Sequence, residues 1–221
     1  MPCVASALLV LFLPSCGGQS GRSAQIPVSG ELMYEVDYSE NLREQATIGA
    51  FLPHSAIGVY DSANFKISTS APLSFAKVSL VHGLNGDFIS ISFNDMKILT
   101  DFSSFADMTD TSNYKVVVKK YDTPHEICGY SSRQTSFSFS DVNRGEFRFD
   151  VFTAVDGERV SDGNNGFGLV TAFSIRFEDS NVIFLLKSVR PLETVNPEEF
   201  ARPQGFIETS AKDFVALLEL M

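Results

Sequence analysis

Residues 137–152 read FSFSDVNRGEFRFDVF, and on either side of a central turn every second residue is Phe. A period of two sends successive side chains to opposite faces of a strand. Phe137, Phe139, Phe147 and Phe149 therefore share one face, and Ser136, Ser138, Arg148 and Asp150 share the other. The pattern returns in AFSIRFE, with Phe173, Ile175 and Phe177 on one side, and in ISISF, with Ile89, Ile91 and Phe93. A helix has no use for such spacing, because a 3.6-residue period would scatter the rings around its axis. The chain is thus constrained to strands with one heavily aromatic face. That face covers either a packed core or a hydrophobic cavity.

Alternation extends along most of the chain. GELMYEVDY predicts a first strand, with Leu32, Tyr34 and Val36 opposed to Met33, Glu35 and Asp37. Ser39 is placed to cap a short helix through NLREQATIGAF, which Pro53 would stop. AIGVY, NFKIST, SFAKVSLVH, DFISISFN and MKILTDF follow as strands, with Asn85-Gly86 marking a hairpin whose type I′ turn needs positive φ. After the polar stretch SSFADMTDTSN come NYKVVVKKY, GYSSRQTSFSFS, GEFRFDVFTAV, LVTAFSIRFE and NVIFLLKSVRPL. The chain ends in ETSAKDFVALLELM, where Ser210 and Asp213 resemble a capping pair ahead of an apolar helix. No helices alternate with the strands, which disfavours a parallel sheet. The expected fold is mainly β: one curved antiparallel sheet, a half-barrel of about 10–11 strands, with a short helix after the first strand and a C-terminal helix.

The N-terminus addresses the chain. Val4 to Leu13 carry no charge and are apolar or small. About ten such residues cannot cross a bilayer core that needs about twenty, but they fit the centre of a secretory signal peptide. Leu13-Pro14-Ser15-Cys16 then resembles a lipobox, in which Cys16 is acylated and becomes the first mature residue. Pro14 is unusual in that setting, and no Lys or Arg precedes the apolar run. The alternative is an ordinary secreted protein with Cys16 left as a thiol. The expected organisation is a signal peptide over 1–15, a lipidated N-terminus and tether over 16–30, and one domain over 31–221.

The formal net charge of -10 lies wholly in the mature part. Phosphate backbones and anionic headgroups repel such a chain, so nucleic acid is excluded as a partner and membrane attachment falls to acyl chains. With Cys3 removed and Cys16 lipidated, Cys128 has no partner for a disulfide within the chain and is expected as a buried small hydrophobe.

Chemistry is sparse. Ser74 and Lys77 match S-x-x-K, but they sit in a strand pattern without the companion motifs. His54, His82 and His125 are scattered, and His125 with Cys128 makes at most half a metal site. Asp162 to Gly166 lack the spaced acidic residues of a calcium loop and read as a polar turn. No catalytic residue, metal or cofactor is expected.

The run from Glu126 to Gln134 in HEICGYSSRQ, the early YEVDY strand, a helix ending at Leu52-Pro53, the segment NGFGLVTAFSI and the Phe200-to-Pro203 element together cover most of the mature chain. In these features the chain resembles bacterial lipoproteins of the LolA/LolB-like superfamily. The resemblance implies a half-barrel whose concave apolar face, closed by helices, holds acyl chains or a similar ligand without catalysis. The superfamily's best-known members shuttle lipoproteins to the outer membrane.

The expected protein is a non-catalytic lipoprotein, anchored by acyl chains on the periplasmic face of the outer membrane. It would hold a hydrophobic ligand against Phe137, Phe139, Phe147, Phe149, Phe173, Ile175 and Phe177. The competing expectation is a structural lipoprotein with a filled core, whose acidic exterior meets an envelope protein.

Overall fold

The computed structural model describes residues 26–44, 52–70, 76–84, 86–93, 95–101, 114–141, 145–155, 169–177, 180–210 and 213. Cys16 and the signal and tether regions before Ile26, Ser74, the Asp162-to-Gly166 turn, Asn85 and the C-terminal helix beyond Asp213 lie outside the described residues. The elements are β1 (Gly30–Tyr38), α1 (Glu40–Glu44), β2 (Ser55–Tyr60), β3 (Phe65–Ser70), β4 (Ala76–His82), β5 (Phe88–Phe93) and β6 (Met96–Asp101). There follow β7 (Tyr114–Ile127), β8 (Tyr130–Asp141), β9 (Gly145–Ala154), β10 (Val170–Phe177), β11 (Ser180–Pro191), a 3-10 turn (Pro197–Phe200) and β12 (Ile207–Glu208).

All twelve strands belong to one sheet, in the order β12-β6-β5-β4-β3-β2-β1-β11-β10-β9-β8-β7. Neighbours are antiparallel except for the short β12, which runs parallel to β6. The sheet is therefore two meanders, β1 to β6 and β7 to β11, joined where β1 pairs with β11.

Connectivity alone rules out a flat sheet. Ten interstrand steps separate β6 from β7, about 48 Å at about 4.8 Å each. The chain between Asp101 and Tyr114 reaches about 45 Å at full extension, and it must also climb the strand length, because β7 starts at the end opposite to where β6 stops. The sheet has to curl toward closure.

The direction of curl is set on the face of Leu32, Tyr34, Val36 and Tyr38, all buried on β1. Tyr60, opposite Gly30, is on the same face. Tyr60 and Tyr130 begin five interstrand steps apart, about 24 Å on a flat sheet, yet both belong to one buried cluster with Tyr34, Ala154 and Leu169. On β1 and β2 this is the face toward which the sheet curls, and Tyr130 and Ala154 reach the cluster from the register face opposite Phe137 and Phe149. Two glycines make the roll possible. A Cβ on Gly30 would lie 3.0 Å from the Tyr60 ring, and one on Gly58 would meet Leu32 at 3.1 Å and Tyr34 at 3.3 Å. Ile26 packs against the same cluster, and Tyr60 Oη donates to the Pro27 carbonyl (3.1 Å). The segment before β1 thereby packs over the cluster at the end where the chain enters.

On the convex face the halves differ. Val81, Phe88 and Leu99 of β4 to β6 are covered by Phe200, with Val195 and Phe206 beside it. Lys66 pairs with Glu199 at 2.8 Å, and Arg202 pairs with Asp101 and Glu208 while standing over the Phe88 ring. The segment after β11 thus wraps the outside of the first meander, and β12 shields the β6 edge. Outside the second meander the register aligns polar residues, such as Ser136 with Asp150 and Asp150 with Ser174.

Three local expectations change. The Ser39 hydroxyl accepts the Asn181 N–H (3.0 Å) instead of capping α1, whose expected continuation over residues 45–51 lies outside the described residues. That bond fastens α1 to β11. Cys128 is not a core residue but half of a two-residue hairpin turn between β7 and β8. Its φ is 51° and that of Gly129 is 78°, the two positive values a type I′ turn demands. A twelfth strand, which the sequence reading did not include, follows the Phe200-to-Pro203 element at Ile207–Glu208.

Two substitutions test this packing. Gly58→Val should destabilise the domain by about 1–3 kcal/mol, because the added branches meet Leu32 and Tyr34 in a filled layer. Phe200→Ala should cost about 3–5 kcal/mol by uncovering Phe88 and Leu99. Urea unfolding of each variant checks both.

Candidate ligand-binding site

The strand register brings the seven predicted residues together. Phe137 is opposite Phe149, Phe139 opposite Phe147, Phe149 opposite Ile175, and Phe147 opposite Phe177. Phe173 lies opposite Val151 and, on its other side, opposite Phe184. Directly opposed residues share a face of an antiparallel sheet. Phe184 in turn pairs with Val36, so Phe137, Phe149, Phe173 and Ile175 share the inward face of β1, while the side chains of Phe139, Phe147 and Phe177 lie outside the described ones.

The rings form a continuous line across the second meander. Phe137 and Phe149 are 6.3 Å apart between centroids, and Phe149 and Phe173 are 6.1 Å apart. Phe173 stacks on Phe184 at 4.1 Å with an interplanar angle of 11°. Tyr34 meets the edge of Phe173 at 6.1 Å. Offset, tilted and edge-on contacts at these distances are the favourable aromatic geometries. Phe137, Phe149, Phe173, Ile175 and Phe184 are all half-buried rather than sealed. On the other arm of the sheet the same face carries Val78 opposite Ile91, and Ile91 opposite Ile98.

Phe184 escaped the sequence reading because NVIFLLKSVRPL is apolar at nearly every position and shows no period to choose a face. Its register against Val36 settles it. Tyr34 was visible as an inward residue of the first strand, but nothing in the sequence tied it to Phe173.

Below this aromatic floor stands a tyrosine seam. Tyr34 Oη donates to the Val170 carbonyl at 2.7 Å, two strands away from its own. At the far end Tyr38 Oη donates to the Pro53 carbonyl at 2.7 Å. The β7–β8 turn bends in to meet the seam, with Cys128 Sγ donating to the Lys187 carbonyl at 3.2 Å. Lys187 is the bulged residue that the β1–β11 register skips. Burial pushes the Tyr38 phenol up to about 12. Burial and then the neighbouring Tyr130 push Tyr60 up to about 12. Burial also raises Tyr34 and Tyr130, with a smaller push from Tyr60 and Cys128 respectively.

Other candidates do not converge. His82 pairs with Asp87 at 2.6 Å near the entry end, and His125 packs edge-on against Phe152 on the other arm. Among the described residues no group of three or more His, Cys, Asp or Glu gathers as a metal site would require. A cavity of about 520 Å³ lies beside the end of β1, lined by Glu35, Asp37, Tyr38, Arg43, Leu52 and His54. The Arg43–Asp37 ion pair spans it, and none of the seven aromatic and aliphatic candidates takes part.

The architecture defines a class, an open curved antiparallel sheet with an aromatic concave face. Among solved structures, PNGF-II resembles it with a TM-score of 0.50 and 13% identity over 86% of this chain and 32% of that one. The chain thus spans about a third of the length of PNGF-II. The Mycobacterium tuberculosis lipoprotein LppX aligns at a TM-score of 0.36 and 12% identity, covering 77% of this chain and 89% of that one. LprF from Mycobacterium bovis aligns at 0.30 and 10%, covering 77% and 90%. No protein-family model matches the chain, and neither does any curated protein.

The raised tyrosines predict an alkaline limit. An unfolded phenol loses its proton near pH 10, whereas the folded seam holds its protons to about pH 12. Stability is complete below pH 10 and falls as pH rises through that window, because the unfolded chain there binds fewer protons. Thermal melts from pH 8 to 12 should show this fall. Tyr60→Phe should make it shallower, while lowering stability at pH 8 by about 0.5–1.5 kcal/mol through loss of the bond to Pro27.

Proposed function

We propose that this protein is a lipid-anchored envelope lipoprotein of the LolA/LolB-like kind, which holds an acyl chain or similar hydrophobic ligand on its concave face. One observation carries the reading: a continuous line of half-buried rings, Phe137, Phe149, Phe173 and Phe184, on the face toward which the sheet rolls. A closed core would bury such rings, since Phe is among the residues most often fully enclosed. Concave sites lined by aromatic and aliphatic side chains are what apolar ligands occupy. A floor of rings and aliphatic side chains suits a ligand held by its hydrocarbon, at about 0.8 kcal/mol per buried CH₂.

The remaining assignments rest on sequence. Cys16 carries the acyl anchor, and the protein lies on the periplasmic face of the outer membrane. It performs no catalysis and requires no cofactor. A net charge of -10 keeps the domain itself off anionic lipid.

Native mass spectrometry of the domain from Gln25 onward, exported without its anchor, should reveal a discrete added mass of a fatty acid or phospholipid. Phe149→Asp should remain folded by circular dichroism and lose at least about tenfold in affinity for a fluorescent fatty acid, equivalent to about 1.4 kcal/mol. A clean apo mass that persists when lipid is offered would refute the ligand. The filled-core reading and an envelope protein partner would then take its place.

A further inference from the structure

We infer that Arg148 and Arg176 form a binding site for a phosphate group on the outer face of the second meander, opposite the face that carries the rings. The site is separate from the apolar ligand and stands whether or not that ligand is bound.

The strand register puts the two arginines together. Arg148 on β9 is directly opposite Arg176 on β10. Arg148 precedes Phe149 and Arg176 follows Ile175 in their strands, so both are on the face away from the rings. Directly opposed residues have Cβ atoms about 4.5–5.5 Å apart, and like charges in that relation repel. In the described strand registers no other two like charges are directly opposed. The chain does not neutralise the pair. Arg148 Nε donates to Asp150 Oδ1 at 3.0 Å, whereas Arg176 is exposed and takes part in none of the ion pairs among the described residues. Exposed Lys119 lies on the same face, opposite Ser136, which is in turn opposite Asp150. Lys119, Arg148 and Arg176 thus make a local basic patch on a chain whose net charge is -10.

The chemistry of the patch selects its ligand. Asp150, whose side chain is 15% exposed, holds Arg148 through Nε. The two terminal amino groups of Arg148 are left without a partner among the described residues. A guanidinium is a planar fork that grips two oxygens of an oxyanion at once. One fork saturates a carboxylate, whereas a tetrahedral phosphate has oxygens for both. Two hydroxyls flank the forks on the same face: Ser138 is opposite Arg148, and Ser174 is opposite Asp150 and two residues from Arg176. A serine hydroxyl can donate to the remaining phosphate oxygens. A phosphate between the forks turns a repulsive pair into a bridged one, so binding relieves a cost that the free protein carries. The overall negative charge repels polyanions, so the site takes a single phosphate group, free in solution or at the head of a lipid.

Thermal unfolding of the full chain tests this, with sodium phosphate compared with sodium chloride at equal ionic strength and neutral pH. Phosphate should raise the wild-type midpoint by several degrees and in a saturable way, as a ligand bound only by the folded state does. Arg176→Gln should unfold in chloride at the wild-type temperature or above it, because the repulsion is gone, and should lose most of the rise in phosphate. Any general stabilisation by phosphate acts on both chains alike, so the difference between them reports the site. Arg176→Lys keeps the charge without the fork and should keep less than half of the rise. An equal phosphate response in wild type and Arg176→Gln, or none in either, would overturn the site. A lower midpoint for Arg176→Gln in chloride would overturn the opposed-charge cost on which it rests. Titration with glycerol 3-phosphate then separates the sources: binding tighter than that of inorganic phosphate marks a lipid headgroup, and weaker binding marks a free anion. Either result supports the phosphate site.

Discussion

The structure depends on one contact between distant strands, the meeting of Tyr60 and Tyr130 over Tyr34. These residues are brought together only if the sheet rolls through β2, β1, β11, β10 and β9. The burial gained there offsets the cost of bending, and the two glycines beneath the rings, Gly30 and Gly58, remove the Cβ atoms that would hold the strands apart. Two register irregularities concentrate the bend nearby, one at Lys187 on β11 and one at Thr171 on β10. Bulges sharpen local twist and re-aim the strand. Thr171 is itself wholly buried, with its hydroxyl 2.7 Å from that of Ser132. Curvature is thus built in at one end and relaxes toward the other.

The division of labour between faces follows. The inside carries the tyrosine seam at the entry end and the Phe rings farther along the strands. The outside needs cover only where apolar residues point outward, as Val81, Phe88 and Leu99 do. Phe200 supplies that cover, with Arg202 bridging Asp101 and Glu208 as a clasp. Exposed ion pairs of this type contribute little individually, so the hold of the final segment comes mainly from Phe200.

Much of this was legible in the alternation. A period of two assigned the faces of β1, β5, β8, β9 and β10 without ambiguity, because Phe and Ser or Arg differ so strongly in burial. The antiparallel, curved character followed from strands without intervening helices. Partners more than a few residues away were not legible: nothing in GELMYEVDY names SNVIFLLKSVRP as its neighbour. The ICGY turn was equally opaque, since Cys at a positive-φ position is uncommon and its backbone geometry is invisible to composition. Tyr60 and Tyr130 each look like ordinary strand residues, and the seam exists only through the roll. Residues of the aromatic face were therefore readable from the alternation, but the tyrosine seam at the entry end was not.

The single junction between β1 and β11 also bears on how the molecule is assembled. Each meander is made of local hairpins that form early, whereas the join unites segments about 150 residues apart in the chain, and such non-local pairings are slow. As the chain is synthesised the first meander emerges complete, with β1 as a bare edge bearing Leu32, Tyr34 and Val36 on one face. An unpaired apolar edge invites pairing with other chains. The long wait for β11 makes the unfinished molecule a natural client for chaperones, and it makes the last strand of the second meander the one that turns two independent halves into a protein.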